Sequence, residues 1–285
     1  MKLPFEIDLR DKVVVVTGAG GVICSTFAKA LAACGAKVAV LDLNKDSAVR
    51  VAQEIIEAGG QAVGVEANVL EVASLKIARQ AVRDQLGACD ILINGAGGNH
   101  PKGTTSKEYL YKEDMDNEQA GEVTFFDLDP KGVEFVFNLN FLGTLLPTQV
   151  FLKDMIGKKD GVILNISSMN AFSPLTKIPA YSGAKAAVSN FTQWLAVHLS
   201  KVDVRVNAIA PGFFVTNQNK GLLFNTDGST TERSTKILNA TPMGRFGECE
   251  ELIGTLLWLV DHKASGFVNG IVVPVDGGFS AYSGV

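Results

Sequence analysis

The chain of 285 residues is poor in cysteine, histidine and tryptophan, and each scarcity removes a class of protein. Its four cysteines (Cys24, Cys34, Cys89, Cys249) have no paired spacing and sit among apolar residues. They are expected as small reduced core fillers in a cytoplasmic protein, not as a disulfide framework. Three scattered histidines, His100, His198 and His262, give no metal-ligand spacing, so no metal is expected. No uninterrupted apolar run reaches the roughly 18 residues of a membrane-crossing helix, and Met1 to Glu6 has no apolar signal core. Neither membrane nor export is therefore expected. Positive charge is not in excess: 26 Lys and Arg against 30 Asp and Glu leave a net charge of −4, which argues against nucleic acid as a partner. Repeats and low-complexity segments are absent.

What is present is alternation. Lys12 to Thr17 is a continuous β-branched run, suited to a strand buried on both faces. Gly18-Ala19-Gly20-Gly21 follows, then a helical stretch from Ser25 to Cys34 and a second strand from Lys37 to Asp42. Strand, glycine-rich turn, helix and strand within one short span form a dinucleotide-binding unit, whose turn and helix N-terminus favour a pyrophosphate. Helices are expected at 48–58, 72–86, 135–151, from Tyr181 to about Leu199, and 250–259. Further strands are expected at 61–69, 90–94, 162–166, 203–209 and 271–275. The pattern predicts an α/β fold: one doubly wound Rossmann-type parallel sheet of about seven strands with helices on both faces. It implies one domain over 1–285 with a polar loop insertion at about 98–125.

The chemistry concentrates between Ser168 and Lys185. Tyr181 and Lys185 are four apart on a helix and share a face, and Ser168 arrives at the end of the strand upstream. A phenol titrates near ~10, and a neighbouring ammonium would favour the phenolate and bring it towards neutrality. The Ser hydroxyl can hold a reacting oxygen. Such a group moves a proton on or off an alcohol or carbonyl. Ser167 is an alternative to Ser168 if the strand ends earlier. Asn140, inside the helix at 135–151, needs partners because a buried Asn is unfavourable in a helix interior.

Asp42 closes the second strand, where a carboxylate accepts from a ribose 2′-hydroxyl and repels a 2′-phosphate. Leu43 and Asn44 supply no offsetting cation. NAD(H) is favoured over NADP(H). Asn68, after the third strand, either reaches the adenine amino group or serves as a turn residue.

Together these residues resemble the short-chain dehydrogenase/reductase family over nearly the whole chain. Thr17-Gly18, Asn94-Gly95-Ala96-Gly97, Asn140, Ser168, Tyr181/Lys185, Pro211-Gly212 and Asp276-Gly277-Gly278 occur in the family's order, with Ser168 thirteen residues before Tyr181. The resemblance implies Tyr181 as acid–base group, Lys185 as its partner and holder of the nicotinamide ribose, and Ser168 on the substrate oxygen. It implies that Asn140 fixes a helix kink and a proton-relaying water. Pro211, Gly212 and Phe214 would lie by the nicotinamide, with Thr216 on its carboxamide. Gly18, Gly21, Val22, Ile23, Val69, Asn94, Ala96 and Gly97 would line the rest of the coenzyme. Two departures stand out: Val22 and Cys24 replace glycines of the family turn, and Asn68 replaces an acidic residue. Gly20 and Gly21 offer the turn another path.

The segment Gly97-Gly98-Asn99-His100-Pro101-Lys102, like the altered turn, resembles the branch of D-mannonate oxidoreductases, which interconvert D-fructuronate and D-mannonate. Lys102 and His100 could supply positive charge to a sugar-acid carboxylate, and Asn99 and Asn170 could bind hydroxyls; alternatively His100 and Lys102 cap a solvated loop. Arg245 is a second possible carboxylate partner, or packs the fold. Other readings are a gluconate 5-dehydrogenase or another polyol dehydrogenase, and a catalytically silent NAD-binding sensor or scaffold. The resemblance also implies a homotetramer, with the Tyr181 helix and the last strand at interfaces.

Overall fold

A computed structural model describes residues 6–115, 121–216 and 219–284. Strands β1 (Val13–Thr17), β2 (Lys37–Asp42), β3 (Gln61–Glu66), β4 (Ile91–Asn94), β5 (Gly161–Ile166), β6 (Val204–Pro211) and β7 (Val272–Val275) form one parallel sheet. The order is β3-β2-β1-β4-β5-β6-β7. Every residue of β1, β4, β5 and β6 is buried, as their apolar character requires of strands covered on both faces.

The helices are α1 (Val22–Ala33), α2 (Lys45–Glu57), α3 (Val72–Gln85), α4 (Pro130–Phe137), α5 (Gly143–Phe151), α6 (Pro179–His198), α7 (Lys220–Leu223), α8 (Glu232–Asn239), α9 (Ile253–Val260) and α10 (His262–Ser265). Alternate residues of β1 send Val14 and Val16 to a core with Phe27, Leu31 and Leu256, and Val13 and Val15 to a second core with Leu75, Phe151 and Leu195. The strand order reverses between β1 and β4, so a crevice opens outside their carboxyl ends.

Two differences from the sequence expectations have physical causes. The helix expected at 135–151 begins at Pro130, at N1 behind the Asp129 cap, and is interrupted by a π-helical turn at Asn138–Leu142. Its full run, Pro130–Asp154, is long and apolar enough to cross a membrane by length and composition, which an uninterrupted-run count missed. The interrupting polar residues Asn140, Thr144 and Thr148 are buried and bonded within the protein. Helices α7 and α8 follow β6 where polar sequence gave no helical signal, α8 being capped by the Thr231 side chain on the Ser234 N–H. The stretch at 98–125 contains only single 3₁₀ turns among its described residues, at Pro101–Gly103 and Lys112–Met115, with another starting at Phe125; residues 116–120 of that insertion lie outside the described residues.

Candidate active site

The first component is the turn between β1 and α1. Gly18 has a φ of +66°, and a Cβ there would come within 2.8 Å of Ala96 Cα. The loops after β1 and β4 therefore touch through bare backbone. Thr17 Oγ1 fixes them, accepting from the N–H groups of Gly95 and Ala96 at 3.1 and 3.3 Å. The substituted glycines are accounted for locally. Cys24 is buried, its sulfur occupies the space where a Cβ on Gly95 would sit, and Val22 packs against the core. Burial pushes the Cys24 thiol up to about 12, so it is an inert filler at neutral pH.

Helix α1 follows Gly21 at its N-cap, with no side-chain cap and no acidic residue in its first turn. The N–H groups at Val22 and Ile23 thus head a helix whose positive end is left to an anion. Asp42 closes β2 beside this turn. Its Oδ2 accepts from Gly20 N–H and its Oδ1 from Asn44 N–H, both at 2.9 Å. Two contacts leave further lone pairs on the carboxylate. A bare backbone, an uncapped helix end and a carboxylate at the strand tip fit the pyrophosphate and ribose of a dinucleotide. Asn68 is engaged locally: its Oδ1 accepts from Leu70 N–H, and its Nδ2 donates to Glu71. Val69 is buried, and a Cβ on Gly143 would approach it at 3.2 Å.

The second component joins β4, β5, α6 and the π turn. Asn140 is fully buried. Its Nδ2 donates to Gly98 O at 2.7 Å and Val136 O at 2.8 Å, and its Oδ1 accepts from Gly98 N–H at 3.3 Å. The wider turn at Asn138–Leu142 and this amide are thus one device pinning the loop after β4. A Cβ on Gly97 would come within 2.7 Å of Asn140 Oδ1 and 3.2 Å of Lys185 Nζ. Asn94 turns its side chain inward, donating to Thr148 Oγ1 at 3.0 Å and Asn165 Oδ1 at 2.9 Å; Asn165 continues to Thr192 of α6. Thr148, Asn165 and Thr192 were not singled out from sequence. Asn165, alone and polar in the strand Gly161–Ile166, was the available signal.

Ser168 caps the 3₁₀ turn Met169–Ala171, and its hydroxyl is close enough to the Tyr181 phenol to affect its ionisation. Ser167 turns the other way, donating to Lys185 O at 3.2 Å and sharing a 2.7 Å bond with Ser189. Lys185 is buried, donates to Ile166 O at 2.7 Å and lies 5.7 Å from the centre of the Tyr181 ring. One electrostatic expectation is corrected. Burial pushes the Tyr181 phenol up, with Ser168 opposing the rise, and Lys185 is no cause of lowering. Desolvation instead brings the Lys185 ammonium down to about 8. In the protein alone, burial is the larger effect at the phenol and the Ser168 hydroxyl the one that opposes it.

At the end of β6, Pro211 is buried in the strand, and a Cβ on Gly212 would come within 2.6 Å of Asp276 Cα, so two backbones meet there. Phe214 is buried against Gly247, and Thr216 is held in the turn leading into α7, its N–H donating to Asn219 Oδ1 and its carbonyl accepting from the Asn219 and Lys220 N–H groups. The expected substrate residues divide. Asn170 is 5% exposed, and its Oδ1 has no hydrogen-bond partner among the described residues. Asn99 donates to Thr104. His100 Nδ1 accepts from Lys102 N–H while its ring lies 5.1 Å from Phe135. Lys102 is exposed and paired with Asp129 at 3.1 Å. His100 and Lys102 thus take part in the capping arrangement. Arg245 pairs in a fork with Glu251 at 2.6 and 2.7 Å.

Comparison with known proteins agrees with this geometry. The short chain dehydrogenase profile matches residues 12–225. An uncharacterized oxidoreductase of Haemophilus influenzae is 61% identical over all of this chain and 99% of its own length. A solved Haemophilus structure, described as a candidate D-mannonate oxidoreductase with bound NAD, superposes with a TM-score of 0.94 at 60% identity over the whole of both chains. A gluconate 5-dehydrogenase from Burkholderia cenocepacia, in complex with NADP and tartrate, gives a TM-score of 0.81 at 27% identity over 98% of each chain. With a glycine-lined nucleotide crevice leading to a buried Ser and Lys and a half-buried Tyr, this chain belongs to the short-chain dehydrogenase family and is an oxidoreductase of CH–OH groups.

Proposed function

We propose that the protein is an NAD(H)-dependent oxidoreductase that interconverts a keto sugar acid and its alcohol, with D-fructuronate and D-mannonate as the pair. The observation that carries a polyhydroxylated substrate is Asn170. Its buried carbonyl oxygen is unpaired two residues from Ser168. A buried acceptor left unsatisfied costs about 1–3 kcal/mol, and a substrate hydroxyl would recover this on a small rotation of the amide towards Ser168. Asp42 supports NAD(H), because no lysine or arginine pairs with its carboxylate among the described residues. The D-mannonate description of the Haemophilus structure supports the sugar acid.

When bound, the reduced nicotinamide supplies the hydride for the carbonyl carbon. The chain's own residues do the rest. Ser168 Oγ donates to the carbonyl oxygen and stabilises its developing charge. Tyr181, protonated in the coenzyme-free protein, donates its proton to the same oxygen. Lys185 holds positive charge below the phenol, fixed by Ile166 O. Asn140 holds Gly98, and with it the floor of the crevice, in place. In oxidation each proton moves in reverse.

The gluconate 5-dehydrogenase reading is the second, favoured by the Burkholderia neighbour. Initial rates with D-fructuronate, 5-ketogluconate and an acetoacetyl thioester, each with NADH and NADPH, separate the readings. Fastest NADH oxidation with fructuronate is expected; preference for the thioester refutes the sugar-acid assignment. NADH binding without any turnover would favour the silent sensor. The proposal extends to a cytoplasmic homotetramer, supported by free cysteines and by exposed Trp194, Val197 and Phe267. Light scattering showing a monomer would refute the tetramer.

A further inference from the structure

A cavity of about 340 Å³ lies between α8 and the loop that joins Ser168 to Tyr181, of a size suited to a small ligand. Two other cavities, of about 90 and 170 Å³, are too small for a whole sugar acid. The wall nearest α6 is Leu175, Thr176 and Lys177, and the opposite wall includes Arg233 and Ile237 of α8. Phe213, the residue after Gly212, and Phe279 supply an apolar surface, with their rings edge to face at 5.3 Å.

The charges here are unevenly satisfied. Lys236 is paired with Glu108 at 3.0 Å and Glu232 at 3.4 Å, so both lining carboxylates are engaged. Lys177 and Arg233 have no ion-pair partner among the described residues. Lys177 is also held in an uncommon conformation. Its φ is +72°, in the left-handed region that a side-chain-bearing residue rarely adopts. Its carbonyl accepts from Thr105 N–H at 2.8 Å, so the insertion loop fixes that backbone. A lysine kept where a glycine would be relaxed indicates that its side chain is used.

We propose that Lys177 and Arg233 together seat the carboxylate of the substrate in this cavity, instead of His100, Lys102 or Arg245. The inference rests on the sugar-acid reading and deepens it. Lys177 lies four residues before Tyr181. Lys177 stands just before the first residue of α6, at the end of the loop that leaves Ser168, so an anion held there suits an open-chain keto acid whose carboxylate and carbonyl are near opposite ends. Lys102 and Arg245 are neutralised by Asp129 and Glu251, whereas this pair is not. The apolar rings of Phe213 and Phe279 lower the local dielectric and strengthen the attraction. Arg233 brings a planar fork that suits a carboxylate, and Lys177 a point charge.

The test measures D-mannonate binding to the NADH-loaded protein, a pair that cannot react, by calorimetry, and kcat and KM with D-fructuronate and NADH. Lys177→Gln and Arg233→Gln are each expected to weaken D-mannonate binding by about tenfold or more. Loss in turnover should fall mainly on KM, with kcat and NADH affinity within about threefold. Lys102→Gln should change neither. If wild type binds D-mannonate and both variants bind it equally well, the carboxylate seat is refuted and the sugar-acid reading survives. If wild type neither binds D-mannonate nor reduces D-fructuronate, the sugar-acid reading fails and this inference with it. Loss of NADH affinity in both variants would assign the residues to the fold and overturn the proposal.

Discussion

Replacing Lys185 by Met should make the coenzyme-free protein more stable while destroying its activity. Lys185 is 4% exposed, and desolvation brings its ammonium from 10.5 to about 8. An unfolded chain keeps the proton to about pH 10.5, whereas the folded protein releases it near 8. Below pH 8 both states carry the charge, and the folded state bears the whole desolvation penalty. From 8 to 10.5 the unfolded state binds more protons, so stability rises with pH; above 10.5 the penalty is gone. The gap between the two values corresponds to roughly 3 kcal/mol at pH 7. Methionine keeps the apolar stem but loses the charge-assisted bond to Ile166 O, which offsets about 2 kcal/mol. The variant should therefore gain about 1 kcal/mol at pH 7, with the gain fading as pH approaches 10.5. Urea denaturation at fixed protein concentration, for both proteins from pH 6.5 to 10, measures the difference. A less stable variant at pH 7, or a difference independent of pH, would refute the claim that this ammonium is held against its solvation.

Three further outcomes follow from the site. Tyr181→Phe should lower kcat with D-fructuronate by about 10²–10⁴ while NADH affinity, read by fluorescence, stays within about threefold; full activity would remove Tyr181 from the reaction. Asp42→Ala should weaken NADH binding and improve NADPH relative to it by about tenfold, or roughly 1.4 kcal/mol, in paired kcat/KM measurements; an unchanged ratio would mean that Asp42 serves only the turn at Gly20 and Asn44. Asn170→Ala should raise KM for the sugar acid without lowering stability in urea, because its Oδ1 has no partner in the protein. A loss of stability would show Asn170 to be structural.

The sheet was legible because its strands are unusual in composition. Uninterrupted β-branched runs such as Val13–Val16 can be little else than strands buried on both sides, and glycines mark their ends. Asn140 was found from an energetic mismatch: an amide inside a helix demands partners, and the π turn and Gly98 supply them. Helix α8 was illegible because its polar sequence carries no long apolar period, and its stability comes from the Thr231 cap and from burying Ser234 and Ile237. The balance of forces at Tyr181 was misjudged for a related reason. Spacing shows which charges are neighbours, but not how much water both have lost. His100 and Lys102 illustrate the same limit, since nothing local in Asn-His-Pro-Lys shows that Asp129, well downstream, meets the ammonium.

The central claim is that this chain passes hydride from NADH to the carbonyl carbon of a keto sugar acid while Tyr181 protonates the oxygen. Its most direct test is product analysis by proton and deuterium NMR after incubating D-fructuronate with NADH deuterated at the transferable position of nicotinamide C4. The account predicts D-mannonate with one deuterium on the carbon that was the carbonyl, formed with Tyr181→Phe at least about a hundredfold more slowly. Consumption of NADH without deuterium at that carbon, or no labelled sugar acid at all from the active wild-type protein, would contradict it.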